Sequence, residues 1–300
     1  MKRIIKLSVS VFILCALTFC YFNTAKKYTT PTPFGEDYTV LRLFDTQGFS
    51  HAEISSLRFA AEDMSETVEG ATRLWCDAYS RFETVSVSVE EGKSIETPAI
   101  VTGGDFFLFH PLEFKSGWYY SDTDLNFDRV VIDERLSFHL FGSNSSEGMK
   151  LEVAGIPLYV AGVVALDESK AYEAQLEDKP LIYIPENVAE KIFGTKNFEH
   201  YEICLQNPVP SHAVTKMAPV TEGITVVDAT ARFSIKNTFS NLREFTTRSF
   251  VTEPLDFPYW ENEERGREDT LSCLMALTLV SALFFLIELT LFIHEIRRKK

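Results

Sequence analysis

Polar and apolar positions divide this chain into two uncharged ends and a mixed middle. Leu7 to Ala25 carries no charged residue, and neither does Thr270 to Ile287, after which apolar character resumes past Glu288 as far as Ile293. A bilayer core of about 30 Å takes about 20 apolar residues in a helix rising about 1.5 Å per residue, so each end is expected to form a spanning helix. The middle alternates differently. Tyr38 to Phe44 is a strand candidate. Ser50 followed by Glu53 is a capping-box pattern, and Ile54, Leu57, Ala61 and Met64 then recur at helical spacing to about Glu66. From Phe82 to Val89, Val85, Val87 and Val89 fall on one face and Thr84, Ser86 and Ser88 on the other, which predicts a half-buried strand. Thr97 to Thr102 predicts another strand, broken by Gly103 and Gly104.

Further along, Arg129 to Asp133 predicts a short strand that leads into a helix through Leu140, stopped at Phe141–Gly142. Gly148 marks a turn, and strands follow at Met149–Val153 and Leu158–Val164 around the turn Ala154–Gly155–Ile156–Pro157. Leu181 to Pro185, Tyr201 to Leu205 and Ile224 to Val227 predict further strands, with a helix at Ser211–Met217 between the last two. Phe233 to Phe250 mixes polar positions with Phe233, Ile235, Phe239, Leu242 and Phe245, as a helix would.

Charge assigns sides to the spans. Two spans place residues 26–269 on one side of a membrane and both tails on the other. Lys2, Arg3 and Lys6 precede the first span, and Arg297, Arg298, Lys299 and Lys300 follow the second, so both termini are expected in the cytoplasm. Lys26 and Lys27 oppose that orientation. Arg265 and Arg267 do not, being outnumbered by Glu261, Glu263, Glu264, Glu268 and Asp269. A cleaved signal peptide is the alternative for the first run, but the run is long for one and no small-x-small pair closes it. Of the 29 basic and 43 acidic residues, 22 and 41 lie between residues 23 and 270, a net charge near −19 there. Such a surface favours solubility and disfavours nucleic acid. Of the five cysteines, Cys15, Cys20 and Cys273 fall within the apolar runs, and Cys76 and Cys204 are the one pair outside them.

One region carries a resemblance. Ala99–Ile100–Val101–Thr102–Gly103–Gly104–Asp105–Phe106–Phe107 is followed by Pro111–Leu112, Gly117–Trp118, Val130–Val131–Ile132–Asp133 and Leu140–Phe141–Gly142. Gly148 and the run Leu151 to Val164, which holds Gly155 and Gly162, complete the series. In order and spacing this resembles the MacB-like periplasmic core domain of ABC-transporter permeases in the MacB/LolC/FtsX group. The resemblance implies an α+β extracytoplasmic domain, with two α/β halves and a β-rich inserted subdomain at about 119–197, flanked by two transmembrane helices. The expected organisation is a tail and first span at 1–25, the core domain at 26–269, and a second span with a basic tail at 270–300. Gly103, Gly104, Phe106, Phe107, Gly142, Gly155 and Gly162 are fold-motif residues in this reading, with the glycine pair allowing a sharp turn and the phenylalanines filling the core.

Permeases of that group usually have four spans, and this chain has two. It also lacks the G-x-x-x-x-G-K-[ST] phosphate loop, so an ATPase and further spans are expected from other chains; the basic tail suits a complete two-span subunit. Phe257–Pro258–Tyr259–Trp260 is placed where an aromatic belt would meet the headgroups, and the acidic run from Glu261 to Asp269 suits a helix start. Tyr259, Trp260 and Glu288 are therefore the membrane-coupling candidates. Glu288 is the one charge in the second span, expected to reach the cytoplasmic interface or else to pair with a partner helix.

Catalytic and metal motifs are not apparent: there is no H-E-x-x-H, G-x-S-x-G or C-x-x-C. Glu199 to Glu202 reads as a solvated strand. Asp122, Asp124, Asn126 and Asp128 lack the glycine and distal glutamate of a calcium loop. No catalytic residue, cofactor or metal is expected. The leading expectation is a non-catalytic membrane subunit of an ABC permease system, with a peptide, lipid or protein ligand and separate ATPase and multi-span permease partners. Alternatives are an independent surface module that regulates a cell-wall enzyme or binds a ligand without an ATPase, and a membrane-anchored enzyme.

Overall fold

A computed structural model describes residues 2–29, 32–35, 37–64, 74–90, 92, 94–120, 128–248 and 257–299. Helix α1 (Lys2–Tyr28) precedes β1 (Tyr38–Phe49), α2 (His51–Met64), β2 (Cys76–Ser88), β3 (Ile95–Gly104) and the single turn α3 (Phe106–Phe109). Next come β4 (Phe114–Gly117), β5 (Arg129–Asp133), α4 (Glu134–Phe141), β6 (Lys150–Val153), β7 (Ile156–Val164) and α5 (Lys170–Leu176). The chain continues through β8 (Ile182–Pro185), α6 (Glu186–Phe193), β9 (Phe198–Gln206), α7 (His212–Met217) and β10 (Thr225–Asp228). It ends with α8 (Ile235–Arg248) and α9 (Tyr259–Lys299). The elements form two compact units, one of Pro31–Ala229 with Pro254–Trp260, the other of Met1–Thr30, Thr230–Glu253 and Glu261–Lys300.

The first unit is a mixed α+β domain on one sheet, with strand order β10-β1-β9-β2-β3-β8-β5-β7-β4 and β6 bridging β2 and β7. Pairs β3–β8 and β5–β7 are parallel and the other ladders antiparallel. The stretch 119–197 supplies β5 to β8, and β8 enters the sheet beside β3. Side chains alternate faces along a strand, so each central strand feeds two cores. Ala99, Val101, Val130, Ile132, Ile182 and Ile184 pack under α2, α4, α6 and α7, while Ile100, Val131 and Tyr183 pack on the other side with Phe106, Tyr120, Tyr172 and Trp260.

Local signals explain most boundaries. Ser50 and Glu53 form the reciprocal cap of α2, with Glu53 accepting from the Ser50 amide at 2.8 Å and hydroxyl at 2.6 Å. Asp133 caps α4 by accepting from the Leu136 amide at 2.6 Å, and Gly142 ends that helix in the left-handed region at φ 69°. The glycine pair behaves otherwise than expected. Gly103 and Gly104 do not break β3 but complete it. A Cβ on Gly103 would lie 2.1 Å from the Tyr79 ring, and one on Gly104 would lie 2.4 Å from the Asp77 carbonyl. The pair is there to let β2 approach. Gly162 likewise lies against the Phe114 ring, 2.4 Å from where its Cβ would be. Ala154 and Gly155, at φ 51° and 83°, form the β6–β7 turn, so Ile156 and Pro157 already belong to the strand.

In the second unit α1 and α9 run antiparallel. Arg3 pairs with Glu295 at 3.0 Å near one end, and Tyr21 clusters with Leu271 and Met275 towards the other. Both helices are long and apolar enough to cross a bilayer, with Phe12, Phe19, Leu283 and Phe284 exposed on their surfaces.

Candidate functional site

Helix α9 begins inside the sheet unit. Phe257, Tyr259 and Trp260 are buried there, and Trp260 retains only 8% exposure, so the expected headgroup belt is not what these rings form. Trp260 stacks on Phe82 at 5.8 Å between centroids and meets Phe106 edge-on at 5.9 Å. Tyr259 meets Tyr172 edge-on at 5.0 Å, and Phe257 meets Phe44 at 4.9 Å. Burial pushes the Tyr183 hydroxyl well above its ordinary value, and Tyr259 reinforces the shift through charge and a hydrogen bond. Sequence reasoning placed these aromatics beside lipid because they precede an apolar run. Their true neighbours come from β1, β2, α3 and α5.

A buried ionic cluster lies under the indole. Strand β9 is not solvated: His200 and Glu202 are both buried. Register sets Arg42 of β1 opposite Glu202, and its Nε donates to the carboxylate at 2.7 Å. His110, which follows α3, contacts the other carboxylate oxygen, and its ring lies 4.7 Å from Trp260. Burial alone would raise the Glu202 pKa, but the His110 and Arg42 charges and hydrogen bonds prevail and hold it at about 2. A cation from β1 and an imidazole after α3 thus fix one carboxylate, and the imidazole supports the tryptophan.

The second unit has its own cluster on the next turns of α9. Arg232 is buried and donates from its two Nη atoms to the Glu261 carboxylate at 3.0 and 2.7 Å, and from Nε to Glu268 at 3.2 Å. Arg265 adds a contact to Glu261 at 3.3 Å, and Arg267 pairs with Glu263 and Glu264 at 2.6 and 2.7 Å. Burial would lower the Arg232 pKa, but the glutamates raise it, so its charge is permanent. The acidic run read as a helix start therefore also holds the segment before α8. Glu288, expected to reach the cytoplasmic interface, is 9% exposed and buried in the helical unit. By the antiparallel register that pairs Arg3 with Glu295, it lies level with buried Ser10.

Other polar groups gather elsewhere on the sheet unit. A cleft of about 600 Å³ is lined by Trp118, Asp128, Arg129, Glu147 and Tyr159, among others. Among the described residues His51, Glu186 and Glu190 bring donor atoms within 4.8 Å of one another, with Tyr79 donating to Glu186 at 2.7 Å. His51 and Glu186 already satisfy each other, and the group lies open to solvent. Asp122, Asp124 and Asn126 lie outside the described residues. Cys76 and Cys204 stand directly opposite each other on β2 and β9, both buried.

No family model matches the chain. Over 125 residues it is 26% identical to the macrolide export ATP-binding/permease protein MacB of Chromobacterium violaceum, a match that covers 41% of this chain and 19% of that protein. The chain thus spans about a fifth of the length of that relative. Among solved structures, the periplasmic region of MacB from Actinobacillus actinomycetemcomitans aligns over 70% of this chain and 95% of its own, at 19% identity and a TM-score of 0.46. The extracellular domain of the noncanonic ABC-type transporter YknZ from Gram-positive bacteria aligns over 61% of this chain and 91% of its own, at 16% identity and a TM-score of 0.44. A protein domain from Porphyromonas gingivalis aligns over 66% and 90%, at 14% identity and a TM-score of 0.39. The resemblance carried by Ala99 to Val164 is to MacB-type permeases, and the protein matched over 125 residues is a MacB.

Proposed function

We propose that this chain is a non-catalytic membrane subunit of an ABC-transporter permease system. Its sheet domain lies outside the cytoplasm, both termini lie inside, and a separate ATPase and multi-span permease complete the assembly. One observation carries the coupling role: α9 is a single helix from Tyr259 to Lys299, whose first two residues are buried in the sheet unit's aromatic core and whose later turns include the apolar run Thr270–Ile287. A helix propagates displacement along its axis because each turn is bonded to the next. Binding of a peptide, lipid or protein to the sheet domain would thus bias the position of the same helix that crosses the membrane, as mechanotransmission requires. Trp260 and Tyr259 grip the helix head, and Glu288, buried within the helical unit, would fix the span against α1 rather than against a partner.

The reading is tested by isolating the full-length chain from its native membrane in mild detergent and identifying its companions. Stoichiometric recovery of an ATPase and a multi-span permease is the expected result. A cell-wall hydrolase in their place, or no companion, would transfer the assignment to an independent surface module.

A further inference from the structure

Helix α8 is arranged the wrong way round for a helix bathed only in water. At 3.6 residues per turn, its side chains divide into three stripes. The stripe that packs against α1 is polar: buried Thr238 accepts a hydrogen bond from the Tyr21 hydroxyl at 3.1 Å. A second, exposed stripe is also polar, with Lys236, Ser240, Arg243 and Glu244. The third is apolar and faces outward: Ile235 is 57% exposed, Phe239 is 42% exposed, and Leu242 continues the line half-buried. A surface helix ordinarily turns its apolar stripe to the protein and its polar one to water. Here the protein takes the polar side, and Ile235 and Phe239 of the apolar stripe are left exposed.

Depth supplies the missing neighbour. Tyr21 lies five residues before Lys26, about 7.5 Å inside the charged end of the first apolar run at 1.5 Å per residue. On the other helix, Arg232 engages Glu261 and Glu268, ahead of the apolar run, whereas the adjacent Phe233 packs on Leu271 and Met275, in its first turns. The chain therefore passes from the ionic turns to the apolar ones just where α8 begins, and both spanning helices put that level at the edge of the bilayer. The Arg243 guanidinium lies 4.9 Å from the Phe239 ring centroid, as a cation does when it borders an apolar stripe near anionic headgroups.

We propose that α8 is an interfacial helix lying on the outer leaflet, with Ile235, Phe239 and Leu242 immersed at the boundary of phospholipid headgroups and acyl chains. Thr238 faces the helix pair, and Lys236, Ser240 and Glu244 face water. This rests on the reading of α1 and α9 as spanning helices.

The test reconstitutes the full chain in phosphatidylcholine nanodiscs, with bromine carried either near the headgroup or near the chain ends. Tryptophan is introduced as Phe239→Trp, Lys236→Trp or Leu283→Trp, and the emission of the native tryptophans is subtracted. The added emission of Phe239→Trp is expected to fall by about half with the shallow bromines and to resist aqueous iodide, as an interfacial side chain should. Lys236→Trp is expected to show the reverse. Ile235→Trp replaces Phe239→Trp if circular dichroism shows that variant to be unfolded. Quenching of the apolar-stripe tryptophan by iodide, or by neither agent, would overturn the proposal. Leu283→Trp separates the two failures: quenched by the deep bromines it upholds the span whatever α8 does, and unquenched it removes the spanning reading and this proposal with it.

Discussion

Arg232→Met removes a buried guanidinium that makes three of its hydrogen bonds to two buried carboxylates. The methionine fills much of the volume, so the loss is electrostatic. Glu261 is left with no exposure and Glu268 with little, and partly exposed Arg265 is still 3.3 Å from Glu261. Removing one partner of such a buried pair costs about 3–5 kcal/mol. For a protein of this size each kcal/mol corresponds to about 2–4 °C, so the midpoint should fall by roughly 10 °C at neutral pH. The sign of the pH dependence is fixed as well. Burial disfavours an unpaired carboxylate charge, and protonation removes that charge, so the variant regains stability in acid and loses it as pH rises. The deficit of Arg232→Met should therefore be largest at neutral pH and shrink towards pH ~4. Adding Glu261→Gln to Arg232→Met should cost less than the sum of the two single changes, with a coupling of about 1–3 kcal/mol. Melting of the full chain in detergent micelles, followed by intrinsic fluorescence across pH, is the assay. A shift below about 2 °C with no pH dependence would refute the view that Arg232 neutralises this cluster.

Burial raises the Asp133 pKa to about 7, against the hydrogen bonds of the Leu136 and Leu181 backbones, and its Oδ2 accepts no hydrogen bond among the described residues. A carboxyl raised from ~3.9 to about 7 loses roughly 4 kcal/mol of stability as pH climbs between those values. Asp133→Asn keeps the cap of α4 and should flatten that slope, which urea unfolding at pH 5 and pH 8 would reveal; a slope equal to the parent's would contradict it. Trp260→Ala should cost about 3–5 kcal/mol because five aromatic or imidazole neighbours lose their packing, and Trp260→Phe much less; equal melting points for the two variants would show that the ring bears no packing load. Directly opposed residues on antiparallel strands have Cα atoms about 4.5–5.5 Å apart, within the range a disulfide spans. Mild oxidation with copper phenanthroline should therefore link Cys76 to Cys204, seen as one joined peptide in a non-reducing digest, and separate peptides throughout would count against that register.

Periodicity made the elements legible where one stretch of chain decides them. The alternation through Val85 and Val87, the Ser50–Glu53 box and the helix stopped at Gly142 all recur in the structure. The charged clusters were not legible, for a physical reason. A glutamate in a strand looks solvent-facing unless its counter-charge is known, and the partners of Glu202 lie 160 residues away at Arg42 and 92 away at His110. Register between distant strands, which no local pattern specifies, brings them together. The same holds for Gly103: its neighbours in sequence suggest a turn, whereas the Tyr79 ring on the next strand leaves no room for a side chain. The aromatics at Tyr259 and Trp260 had two plausible apolar destinations, lipid and protein core, and composition does not distinguish them.

The two ionic clusters on and around the start of α9 differ from the acidic surface of the sheet domain in their response to salt. Mobile ions screen exposed charges within about 10 Å at 0.1 M salt, but they do not enter a site from which water is excluded. Arg232 and Glu202 are buried deeply enough to be out of their reach. A change in ionic strength would therefore alter how the negatively charged domain repels or attracts what approaches it, while the grip on the helix stays the same.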